Sequence, residues 1–244
     1  MKRAFYTIAD KNVQKELTMM KNSLGKFHPN EELVVFADQD IQATRDPQFF
    51  YRSTPYVADF LFNKGYDQLC KLDADQIIAG DLSDIWEGDY DVAVVNNSNP
   101  REYKAYPYTI WNLHPLSYIN NGLVVLKNKS FAAHWKKLCY SSHFDSYQMK
   151  EQDLLNIMCF YGDYKVKFLD SGDSFYGLAS KGYWPEIILK NKKELVLPAN
   201  QEWNKVDKTI KVIHWAGGHN SPDKMNYKIR FKPEVIERLD ELVK

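Results

Sequence analysis

Gln68-Leu69-Cys70-Lys71-Leu72-Asp73-Ala74-Asp75-Gln76 is the stretch on which the fold turns. Leu69 to Leu72 has strand character, and the strand delivers two carboxylates, one residue apart, at its C-terminal end. Side chains at i and i+2 of an extended segment point to the same side. Two like charges held that close repel, so the pair is costly unless a cation sits between them. Hard divalent ions such as Mg²⁺ or Mn²⁺ suit oxygen ligands, and they commonly bring a phosphorylated ligand with them.

Outward from this segment, strand and helix signals alternate. Phe5-Tyr6-Thr7-Ile8 predicts a first strand. Asp10 follows as an N-cap, and Val13, Leu17 and Met20 mark a helix ending near Gly25. Leu33-Val34-Val35-Phe36 predicts a second strand, ending at Asp38. Residues 48–63 read as a helix with Pro55 in a first turn or at a kink, and Gly65 stops it. Later come strands at 91–95 and 122–126, an aromatic- and Pro-rich loop at 98–118, and helices at 131–140 and 147–160. Residues 166–169 and 210–214 predict late strands, and 233–243 a helix with Pro233 at N1. The early alternation argues a mainly parallel sheet with helices on both faces, whose ligands gather beyond the C-terminal strand ends. Asp10, Asp38, Asp73 and Asp75 all fall just past predicted strands.

The bulk numbers narrow the class. A chain of 244 residues with 44% hydrophobic content buries a sizeable core. Lys+Arg and Asp+Glu are both 32, so the formal charge is zero, which argues against a nucleic-acid partner. An anionic ligand then needs local donors or a metal. Cys70, Cys139 and Cys159 are widely spaced in apolar contexts, which reads as buried free thiols in a reducing compartment rather than a zinc site. No apolar run reaches the roughly 20 residues of a membrane span, and the N-terminus lacks the pattern of a signal peptide. The expectation is a cytoplasmic protein. On that expectation, the glycosylation sequons at Asn96 and Asn128 are chance matches.

The run from Cys70 to Trp86 continues Gln76-Ile77-Ile78-Ala79-Gly80-Asp81-Leu82-Ser83-Asp84-Ile85. It resembles the Asp-x-Asp region of GT-A-fold glycosyltransferases, and especially family 8, which includes glycogenin and bacterial lipopolysaccharide galactosyltransferases. The resemblance spans residues 4 to about 224 apart from middle regions such as 98–118. It implies an α/β, GT-A-type nucleotide-diphospho-sugar transferase fold, with a mixed, mainly parallel sheet flanked by helices. One domain over 1–244 is expected, with a nucleotide-binding half at about 1–95, an acceptor and sugar half at about 96–230, and the C-terminal helix at 233–243.

Further matches follow in the family's order. Thr7-Ile8-Ala9-Asp10-Lys11-Asn12 resembles the first strand and loop that hold the nucleotide base, implying contacts from Thr7, Ala9, Asp10 and Asn12; helix capping by Asp10 is equally compatible. Arg52 falls where relatives place a nucleotide-contacting Arg, although a surface Arg reads equally well. Tyr118-Ile119-Asn120-Asn121-Gly122-Leu123-Val124-Val125-Leu126 resembles the Asn-x-Gly segment, implying donor contacts from Asn120 and Asn121; a Gly opening a strand also marks a tight turn. Glu151-Gln152-Asp153-Leu154-Leu155-Asn156 resembles the family's Asp-Gln-Asp-x-Leu-Asn. In retaining members that Gln lies beneath the anomeric carbon and a neighbouring carboxylate holds sugar hydroxyls. Glu151 is one methylene longer than the family's Asp, and acids at a helix N-terminus are also favoured by its dipole.

Val212-Ile213-His214-Trp215-Ala216-Gly217-Gly218-His219 resembles the late His-x-x-Gly segment, whose His completes the metal site. Two carboxylates with a neutral imidazole suit Mn²⁺ better than Mg²⁺, and Gly217 lets backbone N–H groups approach the diphosphate. In place of the family's Lys-Pro-Trp stands Asn220-Ser221-Pro222-Asp223-Lys224, with Lys224 the nearest candidate for the diphosphate Lys. Asn96-Asn97 stands where relatives often carry an Asp. The resemblance therefore implies metal ligation by Asp73, Asp75 and His214, donor contacts from Asp73, Ala74 and Glu151, and catalytic placement of Asn120, Gln152 and Asp153. The implied activity is hexose transfer from a UDP-sugar to a glycan, protein or lipid-linked acceptor, with retention of configuration. Alternatives are an inverting GT-A enzyme and a non-catalytic sugar-nucleotide-binding module. A haloacid-dehalogenase-type phosphatase fits less well, because its Asp-x-Asp usually follows the first strand.

Overall fold

In the first strand, β1 (Arg3–Ile8), Ala4 and Tyr6 point into one apolar layer and Phe5 into another. That period-two alternation belongs to a strand covered on both faces. The chain continues with α1 (Gln14–Phe27), β2 (Leu33–Phe36), α2 (Asp38–Ala43), α3 (Ser53–Asn63), β3 (Gln68–Leu72), β4 (Gln76–Ile78) and β5 (Val92–Asn96). Then come β6 (Ile119–Leu126), α4 (Lys129–Cys139), α5 (Glu151–Tyr161), β7 (Val166–Phe168), β8 (Ser174–Phe175), β9 (Ile188–Lys190), β10 (Glu194–Leu197), β11 (Lys208–Ile210), β12 (Val212–His214) and α6 (Pro233–Val243). The computed structural model describes residues 1–46, 48–96, 117–176, 186–200, 205–215 and 231–244. Most of the loop expected at 98–118, together with Gly217 and Lys224, lies outside the described residues.

The main sheet has six strands in the order β2-β1-β3-β6-β5-β7. β1 runs parallel to β2 and β3, β5 runs parallel to β7, and β6 is antiparallel to both its neighbours. Parallel neighbours require crossovers, and α1 and α3 supply them for β2 and β3. On one face α3, α4 and α5 bury Val57, Leu61, Phe131, Trp135 and Leu155 against Tyr6, Leu69 and Val124. On the other face α1 sets Leu17, Met20 and Leu24 against Phe5, Cys70, Leu72 and Val125. A third apolar cluster joins α6 to the smaller sheets through Ile77, Leu197, Ile213, Val235 and Leu239. β3 is buried along its whole length. The three cysteines are free and buried, as read from the sequence.

Several boundaries differ from the sequence expectation for identifiable reasons. α1 runs through Gly25 to Phe27 and is closed by the His28 N–H bonding Leu24 O at 2.8 Å. α2 opens at Asp38, where the sequence suggests only a strand end. A 3₁₀ turn at Phe49–Tyr51 precedes α3, and Pro55 lies in that helix's first turn. The helix expected from 147 begins only at Glu151, because Lys150 takes φ +51°, a left-handed conformation that ends a helix. The single strand expected at 210–214 is two strands: β11 joins β10 and β8, whereas β12 pairs with β4. The strand expected at 122–126 begins earlier, at Ile119, so Gly122 lies inside β6 rather than at its start. Asn128 is the N-cap of α4, accepting from the N–H groups of Ser130 and Phe131. Among the described residues no helix is long and apolar enough to cross a membrane.

One buried side chain ties α5 to the sheet. Asn156 accepts from Ile119 N at 2.7 Å and donates to Ile119 O at 3.0 Å and Gln152 O at 2.8 Å. Asn156→Ala leaves both backbone groups of Ile119 without those partners, and should cost about 2–4 kcal/mol of stability. Urea unfolding measures this, and a loss under 1 kcal/mol contradicts it.

Candidate functional site

β1, β2 and β3 are parallel neighbours, so their C-terminal ends share one edge of the sheet. The loop after β1 carries Asp10 and Asn12, which are bonded to each other: Asp10 accepts from Asn12 N at 2.8 Å and from Asn12 Nδ2 at 2.9 Å. The loop after β3 carries Asp73, Ala74 and Asp75. The chain then turns directly into β4, whose first residue, Gln76, is the register partner of His214 at the end of β12. This short antiparallel pair carries His214 across about 140 residues of sequence to the two carboxylates. The Trp215 N–H bonds Asp75 O at 3.1 Å and fastens the junction.

The three candidate ligands converge. His214 Nε2 lies 3.3 Å from Asp73 Oδ2 and 3.3 Å from Asp75 Oδ1. One donor atom from each of the three residues lies within 4.8 Å of the others, a group that could hold a metal ion. Divalent ions take such ligands at about 2.1 Å, which sets adjacent ligand atoms about 3 Å apart, so the set fits with little movement. Asp75 and His214 are buried, while Asp73 is partly exposed. Burial alone would lower the His214 pKa, but Asp75 and then Asp73 outweigh it and raise it to about 9. Burial opposes ionisation of Asp73, yet Lys71 and His214 hold it below the ordinary carboxylate value.

Gly122 makes this approach possible. A Cβ there would stand 2.2 Å from His214 Cε1 and 2.5 Å from Nδ1. The β5–β6 register shifts between Val94 and Val95, which pair with Val124 and Asn120 respectively. The resulting bulge lies next to the end of β3, where Asp73 N bonds Gly122 O at 3.0 Å.

Beside the triad, α5 presents the second expected group. Gln152 Oε1 accepts from Asn121 N at 3.0 Å, and Glu151 Oε1 accepts from Asn121 Nδ2 at 2.9 Å. Asn120 Oδ1 accepts from Gly122 N at 2.7 Å. Asp153 is fully buried, accepting from Tyr118 OH at 2.7 Å and Met149 N at 2.9 Å, and Gln152 Nε2 donates to Tyr118 OH at 3.3 Å. Burial raises Glu151 to about 8.

Not every expected residue joins this cluster. Thr7 and Ala9 are fully buried in the sheet edge, the Thr7 hydroxyl without a hydrogen-bond partner. Arg52 grips Asp46 at 3.1 and 3.2 Å and Gln48 at 2.8 Å, beneath the rings of Tyr140 and Phe144. Lys71 and Tyr118 join the cluster although neither is among the residues expected from the sequence. A lysine inside an otherwise apolar strand was the available signal, since lysine is almost never buried unpaired.

Comparison with known proteins agrees with this fold. No protein-family model matches the sequence, and no curated protein does. Solved structures do match. The galactosyltransferase LgtC, in complex with donor and acceptor sugar analogues, is 18% identical with a TM-score of 0.59 over 98% of this chain and 95% of that one. The chain has a GT-A glycosyltransferase fold. An active-site mutant of LgtC, with Gln replaced by Glu, superposes at TM-score 0.58 and 14% identity over 97% of this chain and 99% of that one. The bifunctional glycosyltransferase WbbM matches at 0.53 and 15% over 94% of this chain and 52% of that one. The GT-A fold here therefore resembles that of family 8 enzymes, as the sequence motifs implied.

Two outcomes test the site. Gly122→Ala should displace the imidazole and weaken divalent-ion binding at least about tenfold, read by calorimetry with Mn²⁺; unchanged affinity would disprove the close approach. The raised His214 pKa also has a sign. Its stabilisation is complete below the ordinary value of 6.5 and disappears as pH rises through about 9. The metal-free protein should therefore lose on the order of 3 kcal/mol between pH 6.5 and 9.5 through this group. Glu151 ionises in the same window with the same sign, so the difference between wild type and His214→Asn isolates the imidazole. Parallel urea midpoints for the two proteins across that range would contradict the assignment.

Proposed function

We propose that this protein is a metal-dependent glycosyltransferase that moves a hexose from a UDP-sugar to an acceptor hydroxyl with retention of anomeric configuration. The observation that carries the reading is the convergence of Asp73, Asp75 and His214 at the strand-end edge of a GT-A sheet, beside Asn120 and Gln152. The proposal treats residues 1–244 as one domain, with the nucleotide held by the half up to about residue 95 and the sugar and acceptor by 96–230.

Asp73, Asp75 and His214 would hold Mn²⁺, or Mg²⁺, which when bound supplies Lewis-acid stabilisation of the leaving diphosphate. Asp10 and Asn12, already locked to each other, offer a carboxylate to a uracil N–H. Ala9, Ala74 and the backbone around them line the donor, with Thr7 behind. Arg52, bonded here to Asp46 and Gln48, is assigned to the nucleotide. Gly217 and Lys224 are assigned to the diphosphate. Asn120, Asn121, Glu151 and Gln152 orient the sugar, and Asp153 acts through Tyr118. A Gln is an active-site residue in LgtC, and Gln152 is proposed in the corresponding role.

In the proposed step, the acceptor oxygen forms a bond to the anomeric carbon as the bond to the diphosphate oxygen breaks. The acceptor proton passes to that leaving oxygen, and UDP departs. An inverting route needs a carboxylate base. Glu151, raised to about 8 by burial, is mainly protonated at neutral pH. The Asp153 carboxylate accepts from Tyr118 and Met149 inside the core. Asp153 is thus committed to the core, Glu151 is the carboxyl group an inverting route would call on, and the retaining assignment rests on the family resemblance. The acceptor is an as yet unassigned glycan, protein or lipid-linked hydroxyl, and a cytoplasmic location remains part of the proposal.

Asp75→Asn should abolish Mn²⁺-dependent UDP binding by calorimetry with the circular dichroism spectrum unchanged; retained affinity defeats the metal assignment. Hydrolysis of a panel of UDP-sugars with Mn²⁺ separates enzyme from binding module, since a module binds UDP without turning over any donor. NMR of the product linkage decides the stereochemistry, and a β-linked product from an α-linked donor rules out retention.

A further inference from the structure

Lys71 lies in the interior of β3, on the same side of the strand as Leu69 and Asp73, and its side chain is 4% exposed. Its register neighbours are Tyr6 on β1 and Val124 on β6, both in the apolar layer beneath α3, α4 and α5. An ammonium group there is tolerated only when paired and hydrogen-bonded. It has three donors, and three acceptors meet them: Oδ1 of Asp73, the main-chain oxygen of Asn121 at 2.7 Å and Oδ1 of Asn121 at 2.8 Å.

Each contact fixes something the site needs. With Oδ1 held by Lys71, Asp73 presents Oδ2 to His214 Nε2 at 3.3 Å. With Oδ1 of Asn121 likewise taken, the amide nitrogen of that side chain is turned to Glu151 at 2.9 Å. The main chain of Asn121, held at its oxygen, directs its N–H to Gln152 at 3.0 Å. Arg52, by contrast, is engaged by Asp46 and Gln48. Among the described residues, Lys71 is thus the lysine bonded to both the carboxylate–imidazole group and the residue that contacts the start of α5.

We propose that Lys71 is a positioning residue of the donor site, orienting the Asp73 carboxylate toward the metal ligands and the Asn121 amides toward Glu151 and Gln152. This rests on the reading of the site as one that binds a divalent ion and a nucleotide diphosphate. It goes beyond the Asp-x-Asp pattern, which specifies the carboxylates and leaves the preceding strand residue open.

The sign of one measurement tests it. A buried positive charge beside Asp73 repels a divalent cation, so if charge were its only effect, removing it would tighten metal binding. If orientation dominates, removing it loosens binding, as loss of an outer-sphere partner does by about ten- to hundredfold. Calorimetry with Mn²⁺ on wild type, Lys71→Met and Lys71→Gln therefore has an expected order: wild type tightest, Lys71→Gln intermediate because it keeps an N–H donor, Lys71→Met weakest by at least about tenfold. Equal or tighter Mn²⁺ binding by Lys71→Met, with wild type binding normally, overturns the positioning role alone. A wild type that does not bind Mn²⁺ overturns the reading of the site itself. Failure of both variants to fold makes Lys71 a structural residue and also refutes the proposal.

Discussion

Asp73 and Asp75 stand just past a strand that is buried along its whole length, Asp75 buried and Asp73 partly exposed, so water can screen their mutual repulsion only in part. Two carboxylates this close need opposing charge, and the metal-free protein supplies it from within. Lys71 approaches Asp73 from the strand interior, and His214 sits 3.3 Å from both carboxylates. Much of the surrounding architecture follows from that requirement. The β4–β12 pair carries the imidazole to the site, Gly122 leaves room for it, and the Trp215 N–H holds the end of β12 on Asp75. The three side chains are thus held together by the protein's own contacts.

The α5 side is tied to the same requirement through Asn121. β6 is an antiparallel strand set between β3 and β5, and its bulge places Asn120, Asn121 and Gly122 next to the strand-end carboxylates. Bulges re-aim backbone and side chains next to functional sites. Here the bulge offers a main-chain oxygen to Lys71, an N–H to Gln152 and a side-chain amide to Glu151. Lys150, with φ +51°, starts α5 at Glu151, so Glu151 and Gln152 occupy its first turn, facing Asn121. Strain of this sort persists only where surrounding contacts over-determine it.

What the sequence disclosed, and what it concealed, divides by range. Strands such as 5–8, 33–36 and 69–72 were legible because their apolar runs are local signals, and Asp73, Asp75 and His214 because their motif order resembles a known family. The β4–β12 pairing was hidden: each partner is a three-residue strand, too short for periodicity to speak. Ile210 to His214 read as one strand, because nothing local shows that Lys211 ends one pairing and Val212 begins another. Gly122 reads as the opening of a strand or as a tight turn, since a close approach by a distant imidazole leaves no local trace. Lys71 was visible as an anomaly, a charge in an apolar strand, but its partners lie on another strand and only the folded chain supplies them.

The carboxyl groups of the site fall into two kinds, and their environments alone separate them. Asp73 lies between Lys71 and His214, so two cations hold it ionised against its burial. Glu151 is also confined, but its side chain accepts from the neutral amide of Asn121 and the ammonium of Lys71 is spent on Asp73 and Asn121, so burial prevails and raises it to about 8. One carboxyl group is thus held anionic, while the other stays largely neutral. Lys71 and Asn121 link the two carboxyl groups, so one small network sets different charge states on neighbouring acids.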